Sequence, residues 1–464
     1  MRGGMKKHTR HALVLVIAAT LFSCAGGSQQ DNAYPNPVPL QVAGLFGDGT
    51  GPTVTISPRE ARGASYLPGT NVLRLANGDL RYLPPGASKP STVPPGDPGV
   101  AAAANASRDW LSGGTVPGVS PNERAIAERA LLDLRLLTDK NGATLAAPHS
   151  RWAYVWPRDA SFAAVAFAAT GHHEEAYEVL RFLASVQEDD GGWEARYHSS
   201  GQPVLDGRDR QLDATGWFPW AAWFVRTTDP DVARATARSL ELWPAARAAA
   251  DEAVGSLESN DLPPGGADYW EIPTWRPNLG TAAPLRTGLR SAAALADELG
   301  HEKEVQRYAE AATRLDAAIE GEFAPNGYPR TTHPDSGADA AVTFLAPPFA
   351  PEDPAVRAAV NRASERLTAP NGGVLPGERW PQDPTVSWTP ETAFFALSAT
   401  ASGDEREARR RLDWLAAHRT ELGSFPEKVD GDGQPQAAAP LAWTSALVVL
   451  TLAAGEEPLP VPTA

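Results

Sequence analysis

The pattern of hydrophobic and polar positions changes character near residue 121. Beyond that point helical periodicities repeat, and they predict twelve helices starting near residues 121, 157, 173, 210, 230, 281, 301, 338, 353, 383, 404 and 440. The odd-numbered ones, such as "EEAYEVLRFLASVQ", "EVQRYAEAATRLDAAI" and "EREARRRLDWLAAHR", are amphipathic with one polar face. Several even-numbered ones, such as "SFAAVAFAAT", "GWFPWAAWFV" and "PLAWTSALVVLTL", are apolar nearly all round, the mark of a helix enclosed by other helices. Two members fit less well. The helix near 281 is less apolar than this scheme requires, and the one near 338 is short and runs into "PP".

The connections alternate as well. Each even-to-odd join is short and often carries a Gly or Pro stop signal: "TGHHEE", "TTDPDV", "ELGHEKE", "APEDPAV", "SGDERE". Each odd-to-even join runs to roughly fifteen or twenty residues, more than a compact domain spends on a bare connector. Six enclosed helices alternating with six amphipathic ones predict an inner ring wrapped by an outer ring, an all-α (α/α)6 barrel. The long loops then open together at the end where the inner helices begin. Loops gathered at one end of a rigid scaffold are where function tends to sit.

The segment before residue 121 is different. Residues 25–120 are rich in Pro, Gly, Ser and Asn, with short β-like pieces such as "PTVTISP" and "NVLRLANGDLRYL", and "GASKPSTVPPGDPG" reads as linker. They predict a short irregular and β extension, not a domain of ordinary size. At the N-terminus, "MRGGMKKHTR" is positive, "HALVLVIAATLF" is an apolar run too short to span a membrane comfortably, and "LFSCAGG" follows. This has the form of an export signal. Cys24, the one cysteine in the chain, falls where a bacterial lipoprotein signal is cut and lipidated. The expected organisation is therefore a signal over residues 1–24, an extension over 25–120 and the barrel over 121–464. The protein is expected outside the cytoplasm, held to a membrane only by a lipid at Cys24, or otherwise secreted.

Composition narrows the function by exclusion. A net charge of −15 is at odds with a nucleic-acid-binding face. A single cysteine allows no internal disulfide framework. His172 and His173 fall in a short surface turn, His198 and His333 stand alone, and no ligand set with metal spacing appears. The "DGDG" turn fits a calcium or, more simply, an Asp-Gly turn. No cofactor and no metal are expected, and a monomer is.

The long loops carry the chemistry. "SRWAYVWPRDASF", "DGRDRQLDATGWF", "DYWEIPTWRPN", "GGVLPGERWPQDPTVSWTPE" and "GSFPEKVDGDGQP…LAW" each lead into an inner helix, and most of the fourteen tryptophans fall in or beside them. A concave end lined with indoles, carboxylates and arginines suits a sugar, because rings stack on C–H faces while charged groups hold hydroxyls. Trp152 and Trp156 belong to this lining; Trp217, Trp220 and Trp223, on helix four itself, read better as core.

The segments "YVWPRDASF", "QLDATG", "DYWE", "GERWPQD", "FPEKVDGDGQP" and "LAWTSALVV" resemble, in order and spacing, the signature segments of the glucoamylase family, glycoside hydrolase family 15. The resemblance covers roughly residues 121–455. It implies that Glu271, after Trp270, is the general acid and Glu427 the general base. It implies that Arg158 and Asp159 grip the hydroxyls of the terminal glucose, with Arg379 a second arginine and Trp443 a lining residue there. The implied activity is exo-acting, inverting release of glucose from the non-reducing end of an α-glucan or α-glucoside. A trehalase or other disaccharide-cleaving enzyme on the same barrel, and a sugar-binding lipoprotein without catalysis, are the alternatives. The chain departs from the family at Ile272, where a second carboxylate is common, and this puts a preference for maltooligosaccharides in question.

Inverting hydrolysis needs one carboxyl protonated and one ionised, roughly 6.5–9.5 Å apart. Trp270 and Ile272 flank Glu271 with apolar surface and are expected to keep it protonated, while Lys428 and an inner-helix start are expected to hold Glu427 charged. Taken singly, these residues keep other readings: Glu271 as a helix N-terminal acid, Asp159 as a partner for Arg158, Lys428 as a solvated side chain. Asp213 stands between a helix cap and a substrate contact.

Overall fold

The computed structural model describes residues 38–463. The expected signal segment and Cys24 lie outside the described residues. The chain opens with strands β1 (Gly44–Phe46) and β2 (Val54–Ile56), the single turn α1 (Pro58–Ala61), then β3 (Ser65–Tyr66), β4 (Leu73–Arg74), β5 (Leu80–Tyr82) and β6 (Ser91–Val93). β1 pairs antiparallel with β2, Gly44 opposite Ile56, and β3 to β6 form an antiparallel sheet in chain order.

A helix α2 (Pro98–Ser112) follows, in a stretch where the sequence suggested only linker and strands. Its origin is local. The Asp97 side chain accepts from the Gly99 N–H, Pro98 occupies the first turn, and the alanine-rich run after it favours a helix once begun. The extension is firmly docked. The Thr420 hydroxyl donates to the Ala43 carbonyl at 2.6 Å, and the Gly63 N–H donates to Glu421 at 2.7 Å. Phe46, Ile56 and Leu73 share a buried cluster with Leu422, and Trp110 of α2 stacks on His172 at 4.0 Å.

The barrel comprises α3 (Pro121–Leu137), α4 (Pro157–Ala169), α5 (His173–Ser185), α6 (Ala214–Thr228), α7 (Val232–Gly255), α8 (Leu279–Glu298), α9 (Glu302–Phe323), a 3-10 segment (Ala340–Leu345), α10 (Pro354–Leu367), α11 (Thr389–Ala401), α12 (Glu405–Ala417) and α13 (Ala442–Glu456). The inner ring closes on itself: α4 packs on α6, α6 on α8, α8 on the 3-10 segment, that segment on α11, α11 on α13, and α13 back on α4. Outside it, α3 covers α13, α5 covers α4, α7 covers α6, α9 covers α8, α10 covers the 3-10 segment and α12 covers α11. This is the expected double ring.

Three elements differ from the expected pattern. The eighth helix is only six residues of 3-10 turn, because Pro347 and Pro348 follow at once and cannot continue a helical hydrogen-bond ladder. The helices expected near 210 and 383 begin at Ala214 and Thr389, so their loops are longer than anticipated. By contrast α8 is buried along most of its length despite its modest hydrophobicity. Small residues explain how. A Cβ on Gly288 would lie 2.4 Å from the Gly216 carbonyl oxygen, and one on Gly216 would lie 2.2 Å from that of Pro284. The backbones of α6 and α8 therefore touch.

The barrel axis is filled with aromatic rings. Phe162 stands 4.9 Å from Trp217, 5.0 Å from Trp220, 5.5 Å from Phe394 and 6.0 Å from Trp443. Trp217 and Trp220 are fully buried in this plug and Trp223 nearly so, which is core packing as expected. Trp443 is its upper member and meets the loops above. The plug thus forms the floor on which those loops build.

Candidate active site

Arg158, in the first turn of α4, lies on that floor. Its guanidinium sits 4.7 Å from the Trp443 ring centroid, donates to Gln211 at 2.7 Å and to Asp213 at 3.0 Å, and stands 3.6 Å from Asp159. Arg158 and Asp159 are each 5% exposed. Asp213 occupies the cap position of α6 but makes no capping hydrogen bond; its carboxylate holds Arg158 instead. The cap reading is thus not met, and among protein atoms Asp213 supports Arg158. Burial pushes Asp159 up to about 6, with the charges of Asp213 and Glu427 adding and Arg158 opposing.

Glu427 is fixed through its backbone. Its N–H donates to the Ala438 carbonyl at 2.8 Å and its carbonyl accepts from the Thr389 N–H at 3.0 Å. Immediately after it, β8 (Lys428–Val429) pairs with both β7 (Ser387–Trp388) and β9 (Pro435–Gln436). The "DGDG" stretch is the turn of this hairpin: the Asp430 side chain accepts from the Asp432 and Gln434 N–H groups, and Gly433 takes φ +80°. The Glu427 carboxylate accepts from the Trp152 indole at 3.2 Å and stands 4.0 Å from the Lys428 ammonium.

Glu271 ends a tight turn of different construction. Its N–H donates to the Asp268 carbonyl at 2.8 Å, and the Asp268 carboxylate accepts from the Trp270 N–H at 3.0 Å. Arg330 locks Asp268 at 2.8 Å and covers the Trp270 ring at 3.7 Å. Glu271 itself takes φ +58°, a left-handed conformation uncommon for a residue with a side chain. Its carboxylate accepts from the Trp156 indole at 2.7 Å and is ion-paired with Arg208.

One loop therefore serves both carboxylates. Trp152 and Trp156 lie four positions apart, and each gives its indole N–H to a different glutamate. On the other side a row of indoles joins the Glu271 loop to the Glu427 loop: Trp270 to Trp380 at 4.9 Å, Trp380 to Trp388 at 5.1 Å, and the Lys428 ammonium over Trp388 at 4.0 Å.

The structure corrects four expectations. Glu427 is not held down: burial raises it above the ordinary glutamate value, and Lys428 and the Trp152 hydrogen bond only partly offset this. Lys428 is itself buried, not solvated. Glu271 does not stand in purely apolar surroundings, since the Arg208 guanidinium sits on it. Arg379 does not join the site: it is exposed and lines an outer hollow with Tyr328, Arg362 and Arg366. The arginine beneath the Glu271 loop is Arg330.

Sequence reading missed Arg208, Arg330, Asp268 and Glu391. Arg208 and Gln211 lie in the quoted "DGRDRQLDATG", and Glu391 closes the quoted "VSWTPE", so position in a long loop was the available signal. Glu391 lies in the first turn of α11, 3% exposed, with one carboxylate oxygen buried and unpartnered among protein atoms. Burial, then the charges of Glu427 and Asp339, push it up to about 8 against the pull of Arg158 and its helix N-terminus. Asp339, which accepts from the Tyr269 hydroxyl at 2.7 Å, is pushed up to about 7 by burial and by Asp268, with Arg330 opposing. Among the described residues, no group of three or more His, Cys, Asp or Glu side chains is placed to hold one metal ion.

Comparison with known proteins agrees with this architecture. The fold is similar to a bacterial glucoamylase solved with acarbose: TM-score 0.64 and 19% identity, covering 78% of this chain and 60% of that one. It is also similar to a wild-type glycosidase (TM-score 0.60, 21% identity, 73% of this chain and 99% of that one). A glucoamylase from Saccharomycopsis fibuligera is similar too (TM-score 0.57, 13% identity, 74% and 96%). In sequence, 99 residues are 35% identical to an uncharacterised glycosyl hydrolase of Methanocaldococcus jannaschii, covering 21% of this chain and 16% of that protein. This chain thus matches less than two thirds of the length of that relative and of the bacterial glucoamylase. The profile of Glycosyl hydrolases family 15 matches residues 123–370, just over half of the chain, a span that includes Glu271 and stops before Glu427. By that match the chain belongs to glycosyl hydrolase family 15.

Proposed function

We propose that this chain is an exo-acting, inverting glycoside hydrolase that releases glucose from the non-reducing end of an α-glucan or α-glucoside. The observation that carries the reading is the shared loop: Trp152 and Trp156 orient two carboxylates from distant segments over one floor. Glu271 protonates the leaving oxygen as the anomeric C–O bond breaks. Glu427 takes a proton from a water whose oxygen attacks the anomeric carbon from the opposite face. A base near neutral pH works best when its affinity for protons is raised, and burial does this for Glu427.

The exo character rests on the closed floor. Arg158, Asp159 and Trp443 are each 5% exposed and seated on the aromatic plug, so the site accepts a chain end rather than a passing chain. The Arg158 and Asp159 side chains would hold the terminal sugar's hydroxyls. Relatives of similar fold carry fitting ligands, one glucoamylase with acarbose and one glycosidase variant with glucose.

The test is glucose release from maltotriose, isomaltotriose, trehalose and soluble starch, with Glu271→Gln and Glu427→Gln as controls. Release by the parent and a fall of about 100-fold or more in each variant is expected. No turnover of any of them by folded protein contradicts the reading. The proposal includes export and a lipid anchor at Cys24; radiolabelled fatty acid incorporation that survives Cys24→Ser would remove the anchor.

A further inference from the structure

The group facing Glu271 from the open side is Arg208, and the mechanism just given has no use for it. The carboxylates grow more exposed away from the floor. The Arg158 and Asp159 side chains are 6% and 7% exposed, Glu427 is 12%, Glu271 is 25% and Asp206 is 38%, while Arg208, covered between the last two, is 13%. The leaving group must occupy this outer side of Glu271, because the terminal sugar fills the closed end. Arg208 stands there on built support. Asp206 lies 3.5 Å from its Nε and is itself ion-paired with Arg196, which is 4% exposed and lies over the rings of Tyr154 and Trp156 at 4.6 and 5.1 Å.

Resting on the glucosidase reading above, we propose that Arg208 is a specificity-determining residue for glycosides whose leaving group carries a carboxylate. A carboxylate that accepts from a guanidinium is stabilised in its charged form, which is the wrong form for an acid that must donate. Arg208 must move off Glu271 before Glu271 can work, and a group that draws it away speeds that step. A substrate carboxylate does so like for like, because the guanidinium fork that holds Glu271 matches any carboxylate. Arg208 transfers from Glu271 to the leaving group, Glu271 takes a proton from solvent, and that proton passes to the glycosidic oxygen as the bond breaks. A neutral leaving group offers no such exchange, so Arg208 leaves Glu271 less often and cleavage is slower. Ile272, not a carboxylate, follows Glu271 in the chain, and the fixed acid on this side, Asp206, has its charge taken up by Arg196 and Arg208.

The test uses matched pairs that differ only in one group. 4-O-α-Glucosyl-sorbitol and 4-O-α-glucosyl-gluconate share linkage and open-chain leaving group, one ending in CH2OH and the other in a carboxylate; the 6-O-linked pair covers the other linkage. For whichever linkage is cleaved, kcat/KM for the gluconate is expected to exceed that for the sorbitol by about tenfold or more. The advantage should shrink with added salt and fall to about one in Arg208→Gln, with partial retention in Arg208→Lys. The parent enzyme alone decides the case should a variant fold poorly. Equal or faster cleavage of the neutral member overturns this inference and leaves the glucosidase reading standing. Cleavage of neither pair, nor of any neutral α-glucan, by folded protein removes that reading, and this inference with it.

Discussion

Replacing Glu391 with glutamine tests the electrostatics of the floor without touching either proposed catalytic carboxylate. Glu391 is 3% exposed and titrates at about 8, against an ordinary value of 4.5. Between those values the folded protein holds a proton that the unfolded chain has lost, so this group makes stability fall as pH rises from about 4.5 to about 8. Below that window it contributes nothing to the pH dependence; above it the whole cost of a buried charge is present. The gap corresponds to about 5 kcal/mol, at about 1.4 kcal/mol per pH unit. Glutamine keeps the shape and cannot ionise. The stability of Glu391→Gln relative to the parent should therefore climb by about that amount between pH 4.5 and pH 9. An unfolding entropy of about 2.1 cal/mol/K per residue, over about 430 residues, gives roughly 0.9 kcal/mol/K, so the difference in Tm should grow by about 5 °C. Thermal unfolding followed by circular dichroism across that range measures it. A Tm difference that stays flat, or moves the other way, refutes the reasoning.

Three further outcomes follow from contacts already described. Trp152→Phe removes the indole donor from Glu427 and should lower kcat about 10- to 100-fold, with the circular dichroism spectrum unchanged; unaltered kcat would show that the hydrogen bond does not orient the base. Lys428→Met removes the cation that partly offsets the burial of Glu427, so the acid limb of the kcat/KM profile should move to higher pH. A shift to lower pH would mean that Lys428 does not act on Glu427. Gly288→Ala drives a methyl into the Gly216 backbone and should cost about 2–3 kcal/mol or prevent folding, read by thermal melts; a melt like the parent's would show that α6 and α8 can part without penalty.

The scaffold was largely legible in the sequence, because burial on all sides and burial on one side leave different patterns. The uniform apolarity of "SFAAVAFAAT" and "PLAWTSALVVLTL" marked α4 and α13 as inner helices, and the stripes of "EREARRRLDWLAAHR" marked α12 as outer. The α2 helix was not legible: its start hides in Pro- and Gly-rich sequence, and one aspartate cap decides it. The segment at Ala340–Leu345 was foreseen as short but not as a 3-10 turn. At the site, residue types in long loops pointed to the right neighbourhood. Partner choice was out of reach, because ion pairs form across segments far apart in sequence. Arg208 meets Glu271 across 63 positions and Arg330 meets Asp268 across 62. Local flanks misled for the same reason: Trp270 and Ile272 border Glu271 in the chain, but what its carboxylate touches is Trp156 and Arg208. Glu427 followed the opposite course, its neighbouring lysine outweighed by burial that only the closed fold supplies.

The most direct test of the account is the anomeric configuration of the first glucose released. The protein lacking residues 1–24 would be mixed with whichever α-linked oligosaccharide it cleaves, and proton NMR spectra taken before mutarotation blurs the signal. The account predicts β-glucose, and none in Glu427→Gln. α-Glucose from the parent would contradict it, because Glu427 would then be acting on the sugar itself and not on water.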